Sequence, residues 1–180
     1  MENVEKMDIF VEQIVKKNTS SKDMALRVLI IIGMCVLTAV SLFLFLFIMP
    51  LLGFLVFSGI MWGGYHLFSS FDCEYEYIVT NGEIDIDKII ARRKRVRLIT
   101  AKASAFEAFG RYEDAPDTED DVTVVRAVGH NESGEDAKTY YADLKHPSAG
   151  SVRLIFCPEE RVIDAIVPFL PRQLKVNFKK

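Results

Sequence analysis

VLIIIGMCVLTAVSLFLFLFIMPLLGFLVFSGIMWGGYHLF, residues 28 to 68, holds no Lys, Arg, Asp or Glu across 41 consecutive positions. Met49-Pro50 and Gly53 interrupt it near the middle. A helix rises about 1.5 Å per residue and a bilayer's hydrocarbon core is about 30 Å thick, so one span takes about 20 apolar residues and this run supplies two. The reading is a transmembrane hairpin within residues 24–70, with helices at about 27–48 and 51–68. A cleaved signal peptide fits poorly. Its apolar core would be about 7–15 residues after a short basic start, whereas this core is longer, follows acids as well as bases, and is succeeded by a second span.

The flanks give an orientation. Lys16, Lys17, Lys22 and Arg27 precede the first span, and the short loop at Met49 to Gly53 has no charge. Two spans return the chain to its starting side, and the positive-inside rule makes that side the cytoplasm, so both termini are expected there, at the cell membrane. In the second helix Gly59 and Gly63 form a G-x-x-x-G pair, next to Gly64 and Ser58. Small residues let helix backbones approach closely in lipid. The pair is expected either to pack on the first helix or to bind a protein partner or a second copy of the chain.

Net charge is -3 over 180 residues. Residues 1–27 carry five basic and five acidic side chains, and residues 72–180 carry seventeen and twenty. A nucleic-acid binder needs a basic excess to gain from phosphate contacts, so that partner is not expected. Cys35, Cys73 and Cys157 have no metal-ligand or redox spacing, which points to free thiols in a reducing compartment.

Before the spans, Val4, Met7, Val11, Ile14 and Val15 fall at three- and four-residue spacing. That pattern predicts an amphipathic helix within residues 1–23, lying in the membrane interface or packed on another surface. After the spans the period changes to two. Tyr75, Tyr77 and Val79 share one parity, Asn81-Gly82 signals a tight hairpin turn, and Glu83, Asp85 and Asp87 then alternate with Ile84 and Ile86. A third strand is read at 94–99, and others at about 103–109, 122–128, 138–144 and 152–156, seven in all. The acidic stretch Glu113 to Asp121 reads as a solvated connection. Pro158-Glu159-Glu160 opens a helix of about 158–170, with Pro168 expected to kink or shorten it.

This order resembles a pleckstrin-homology-like (PH-like) barrel of seven antiparallel strands closed by a C-terminal helix, an α+β domain over residues 72–180. Glu74-Tyr-Glu-Tyr-Ile-Val-Thr-Asn-Gly-Glu-Ile-Asp-Ile-Asp-Lys-Ile-Ile carries the resemblance, and the two preceding spans make the whole similar to small bacterial two-transmembrane-helix proteins with a cytosolic PH-like domain. The resemblance implies no known substrate, and the expectation is a non-enzymatic binding or assembly platform with no cofactor.

One candidate site follows from charge. Lys88, Arg92, Arg93, Lys94, Arg95 and Arg97 are six bases in ten positions. Near a membrane each contributes on the order of 1 kcal/mol toward anionic headgroups. A hairpin of the second and third predicted strands, turning near Ala91, would set Asp85 and Asp87 against Arg95 and Arg97, leaving Arg92, Arg93 and Lys94 as the lipid-facing candidates. No nucleotide, serine-hydrolase, zinc-protease or paired-cysteine motif occurs. His130 and His146 lack metal spacing, so neither catalytic nor metal residues are expected.

Overall fold

The computed structural model describes residues 8–17, 19, 21–118, 121–130 and 138–175. It consists of two compact units, one of residues 1–18 with 74–180 and one of residues 19–73.

The second unit is a pair of helices, α1 (Ser21–Phe47) and α2 (Pro50–Ser69). At about 1.5 Å per residue these are about 40 and 30 Å long, and both are long and apolar enough to cross a membrane. Pro50 is the first residue of α2, where its missing N–H would have no intrahelical partner in any case, and Met49 before it is extended. The connection is therefore only Ile48 and Met49. The Ser41 hydroxyl donates to the Thr38 carbonyl (2.8 Å) and that of Ser58 to Phe54 (2.9 Å), so both are satisfied within their own helix.

The first unit holds nine strands among the described residues: β1 (Phe10–Lys17), β2 (Cys73–Thr80), β3 (Glu83–Ile90), β4 (Lys94–Lys102), β5 (Phe106–Arg111), β6 (Thr123–Ala127), β7 (Gly129–His130), β8 (Tyr140–His146) and β9 (Gly150–Phe156). They form a five-stranded sheet, β4-β3-β2-β1-β7, and a four-stranded sheet, β5-β8-β9-β6. The expected closed, seven-stranded antiparallel barrel is thus corrected to two sheets. One of them is mixed, because β6 runs parallel to β9.

The larger correction concerns the N-terminus. Residues 10–17 are a strand, not an amphipathic helix, and pair antiparallel with β2 from Phe10↔Thr80 to Lys16↔Glu74; Val4 and Met7 lie outside the described residues. Val15 is fully buried and so is Gln13, whose amide is held at both ends. Its Nε2 donates to the Cys157 carbonyl (3.1 Å) and its Oε1 accepts from the Glu159 N–H (2.8 Å). The sheet domain therefore begins before the helices, and the helical pair is inserted between two neighbouring strands.

Asn81 and Gly82 both have positive φ (50° and 81°), as a two-residue hairpin turn of this hand requires. Gly82 has a second constraint, since a Cβ there would fall 2.3 Å from the Phe169 ring. Tyr77, Ile84, Ile86, Leu154, Phe156, Val162 and Ile166 form the centre of the core. The last two belong to α3 (Glu160–Ile166), which ends in a 3-10 turn at Val167–Phe169 containing Pro168 and is followed by α4 (Arg172–Lys175). The described part of the acidic connection is tied down more firmly than its composition suggests. Buried Arg153 donates to both Asp143 oxygens (2.7 and 2.8 Å), to the Pro116 carbonyl and to Thr118 Oγ1.

Candidate functional site

Strand register sorts one face of the five-stranded sheet into rows. The β1–β2 and β3–β4 pairings, joined by the two-residue turn between β2 and β3, give Lys16, Glu74, Ile89 and Arg95 in one row and Ile14, Glu76, Asp87 and Arg97 in the next. Glu12, Ile78, Asp85 and Thr100 follow, then Phe10, Thr80, Glu83 and Lys102 beside the Asn81-Gly82 turn.

The middle of this face is a lattice of ion pairs. Arg95 Nη2 lies 2.7 and 2.9 Å from the two Glu76 oxygens. Arg97 binds Asp87 through Nε and Nη2 and reaches Asp85 Oδ1 at 2.6 Å through Nη1. The Thr100 hydroxyl donates to Asp85 (2.6 Å) and accepts from Arg97. Asp87 is only 1 % exposed, and such a carboxylate is tolerated because guanidinium groups cap it. The expected pairing of Asp85 and Asp87 with the arginines is present. Glu74 and Glu76 join it from β2, where the sequence marked them only as acids after a span.

These contacts also tune charge. Burial holds the Glu76 carboxyl above the ordinary carboxylate range, Arg95 opposes that shift, and the hydrogen bond that the protonated carboxyl can donate to Glu12, with the negative charges of Glu12 and Asp87, adds to it. Burial likewise raises the Tyr77 hydroxyl, which stays protonated and donates to the Ala127 carbonyl.

Of the basic candidates, Arg92 and Arg93 occupy the β3–β4 turn and Lys94 opens β4. Ala91 and Arg92 both sit at positive φ (54° and 53°), an uncommon conformation for non-glycine residues. Arg92 lies 3.6 Å from Glu74, the second residue of β2. The basic turn is therefore at the sheet end where the chain leaves β1 at Lys17 and returns at Cys73.

The glycines of α2 divide sharply. A Cβ on Gly53 would fall 2.5 Å from the Phe45 backbone nitrogen and one on Gly64 would fall 2.2 Å from the Met34 side chain, so these two contact α1. A Cβ on Gly59 or Gly63 would meet nothing within 4 Å. The expectation that Gly59 and Gly63 pack on the first helix is corrected: Gly53 and Gly64 take that role. Motif spacing identifies small residues but not which face of the helix they occupy. No group of three or more His, Cys, Asp or Glu among the described residues is arranged to hold a metal ion.

Two sheets, a C-terminal helix and the Asn-Gly hairpin agree with what the sequence matches, which is the family described as bacterial PH-like domain (DUF6106), over residues 7–176. The chain belongs to this bacterial PH-like family. The match begins before β1 and runs past both long helices, so the PH-like domain includes the strand that precedes the hairpin. No curated protein and no solved structure matches the chain.

Proposed function

We propose that this is an integral membrane protein in which α1 and α2 cross the bilayer as a hairpin and the PH-like domain serves, without catalysis, as a binding and assembly platform on the cytoplasmic face. The observation that carries this reading is the pairing of β1 with β2. Both ends of the helical insertion connect to neighbouring strands of one sheet, so a single crossing would tear the sheet across a membrane, and two crossings satisfy it. Lys16, Lys17, Lys22 and Arg27 before α1 support the cytoplasmic side.

The test is thiol accessibility in the full chain. With the natural cysteines replaced, a cysteine near either terminus should react with an impermeant maleimide only in inside-out vesicles, and Met49→Cys only in intact cells. Release of the protein by alkaline carbonate, or labelling of the two termini from opposite sides, would refute the reading.

The platform has one lipid-facing candidate, Arg92, Arg93 and Lys94, supported by its place at the sheet end joined to the helices. A polarity-sensitive fluorophore on Ala91→Cys should shift to the blue when nanodiscs change from zwitterionic to anionic lipid, and the shift should shrink when these three residues become Ala. No shift would remove the lipid role and leave protein assembly.

A second reading, an accessory subunit of a larger membrane complex or a homo-oligomer, is favoured by the open Gly59 and Gly63 positions. A crosslinked partner lost on Gly59→Leu or Gly63→Leu supports that docking face, and one retained by both variants argues against it.

A further inference from the structure

At the sheet end away from the basic turn, an open surface pocket of about 420 Å³ wraps the Asn81-Gly82 turn, lined by the exposed Thr80, Glu83, Lys102 and Ser104 with Gly82 and the half-buried Phe169. Its charged residues differ from those elsewhere on the same sheet face. Asp85, Asp87, Glu74 and Glu76 each have an arginine partner. Glu83 and Lys102 are direct cross-strand partners in register, yet neither makes an ion pair or a side-chain hydrogen bond among the described residues. Closing that pair would gain only about 0.2–1 kcal/mol in so exposed a position, so both charges remain available.

The rest of the cavity supplies complementary chemistry. The Thr80 and Ser104 hydroxyls add neutral donors and acceptors. Phe169, half-buried on the 3-10 turn after α3, adds an aromatic wall, and its place is fixed because the ring packs where a Cβ of Gly82 would be. The Asn81 side chain is committed elsewhere: it accepts from the Ile9 N–H and donates to Asp8.

We propose that this cavity binds a small zwitterion with an apolar body, of the α-amino acid class. Lys102 takes the carboxylate, Glu83 takes the ammonium, and the apolar side chain lies on Phe169. An anion alone would meet Glu83 and a cation alone would meet Lys102, so the pair selects a molecule carrying both charges over either half. The inference does not depend on the membrane reading, because every lining residue belongs to the sheet unit.

The test is equilibrium dialysis of the full chain in detergent with labelled L-phenylalanine, N-acetyl-L-phenylalanine and L-phenylalaninamide. Saturable one-to-one binding of L-phenylalanine is expected. The acetylated form lacks the ammonium and the amide lacks the carboxylate, and each should bind at least about tenfold more weakly, as should L-phenylalanine to Glu83→Gln or Lys102→Met. Both substitutions sit on exposed side chains, and an unchanged melting temperature checks that the fold is kept. Absence of saturable binding up to about 10 mM, weaker than any useful site on the affinity scale, overturns the proposal. So does saturable binding that is indifferent to both substitutions or to both blocked ligands.

Discussion

The sheet unit closes over Tyr77, Phe156, Ile84, Ile86 and Leu154, all less than 2 % exposed. The buried residues of the two long helices are Ser41, Gly53 and Gly64. Among the described residues, nearly every large apolar side chain that is exposed lies between Met24 and Phe68, the exceptions being Phe10, Val96, Tyr112 and Val124. Each such side chain is worth about 1.5–3 kcal/mol when removed from water, so the helical unit leaves on the order of tens of kcal/mol of burial unrealised in its own packing. The sheet unit recovers its own by internal packing. The difference teaches that one unit covers its apolar side chains by its own packing while the other leaves them uncovered, and that β1 and β2 are where the chain passes between the two.

The strongest way to break this contrast is to separate β1 from the sheet. A chain of residues 73–180 loses a strand that lies between β2 and β7 and strips Gln13 from the start of α3. It should show no cooperative melt, a loss comparable with the whole stability of a small domain, about 5–15 kcal/mol. Replacing residues 18–72 by an Asn-Gly turn between Lys17 and Cys73 should instead give a soluble chain with a cooperative melt. Equal behaviour of the two chains would mean that β1 is not part of the domain.

Smaller changes sharpen the comparison within each unit. Gly53→Leu drives a side chain into the α1 backbone at Phe45 and should cost about 1–3 kcal/mol of hairpin association. Distance measurements between spin labels on α1 and α2 read this directly, and Gly59→Leu should leave the same distances unchanged. Gln13→Leu leaves the Cys157 carbonyl and the Glu159 N–H without their partner. A loss of about 1–3 kcal/mol is expected in urea unfolding of the hairpin-deleted chain.

The smallest effect depends on pH. Because the Glu76 carboxyl is held up mainly by burial, the folded state takes up its proton more readily than the unfolded chain does. Its contribution to stability grows as pH falls through the raised folded value, is complete below the unfolded value, and is lost as pH rises. Glu76→Gln should therefore melt higher than the natural chain at pH 7–8, with the gap closing toward pH 4. A gap that widens on acidification would mean that Arg95 outweighs burial.

Much of the fold was legible where one period dominated. The helical run, the Asn81-Gly82 turn and the alternation through Ile84 and Ile86 appear in the structure as they read in the sequence. β1 was not legible because Gln13 puts a polar residue at a core position while Ile14 puts an apolar one on the opposite face, which hides the alternation and leaves a helix-like stripe. Only contacts more than a hundred residues away show that Gln13 is satisfied. The parallel β6–β9 pairing and the hold of Arg153 on Pro116 and Thr118 leave no local trace for the same reason. In the candidate site the Asp–Arg rows could be read from hairpin spacing, but the parts played by Glu74 and Glu76, and the outward direction of Gly59 and Gly63, required three dimensions.

The order of synthesis imposes a delay on this architecture. β1 leaves the ribosome ahead of β2, which follows only after both long helices, and the two groups that hold Gln13 come 144 and 146 positions later. At an elongation rate of about 5–20 residues per second, β1 waits several seconds for β2 while the apolar helices between them are made. The sheet therefore cannot close until both helices have been synthesised, and a chain stalled within them leaves a bare strand exposed to aggregation.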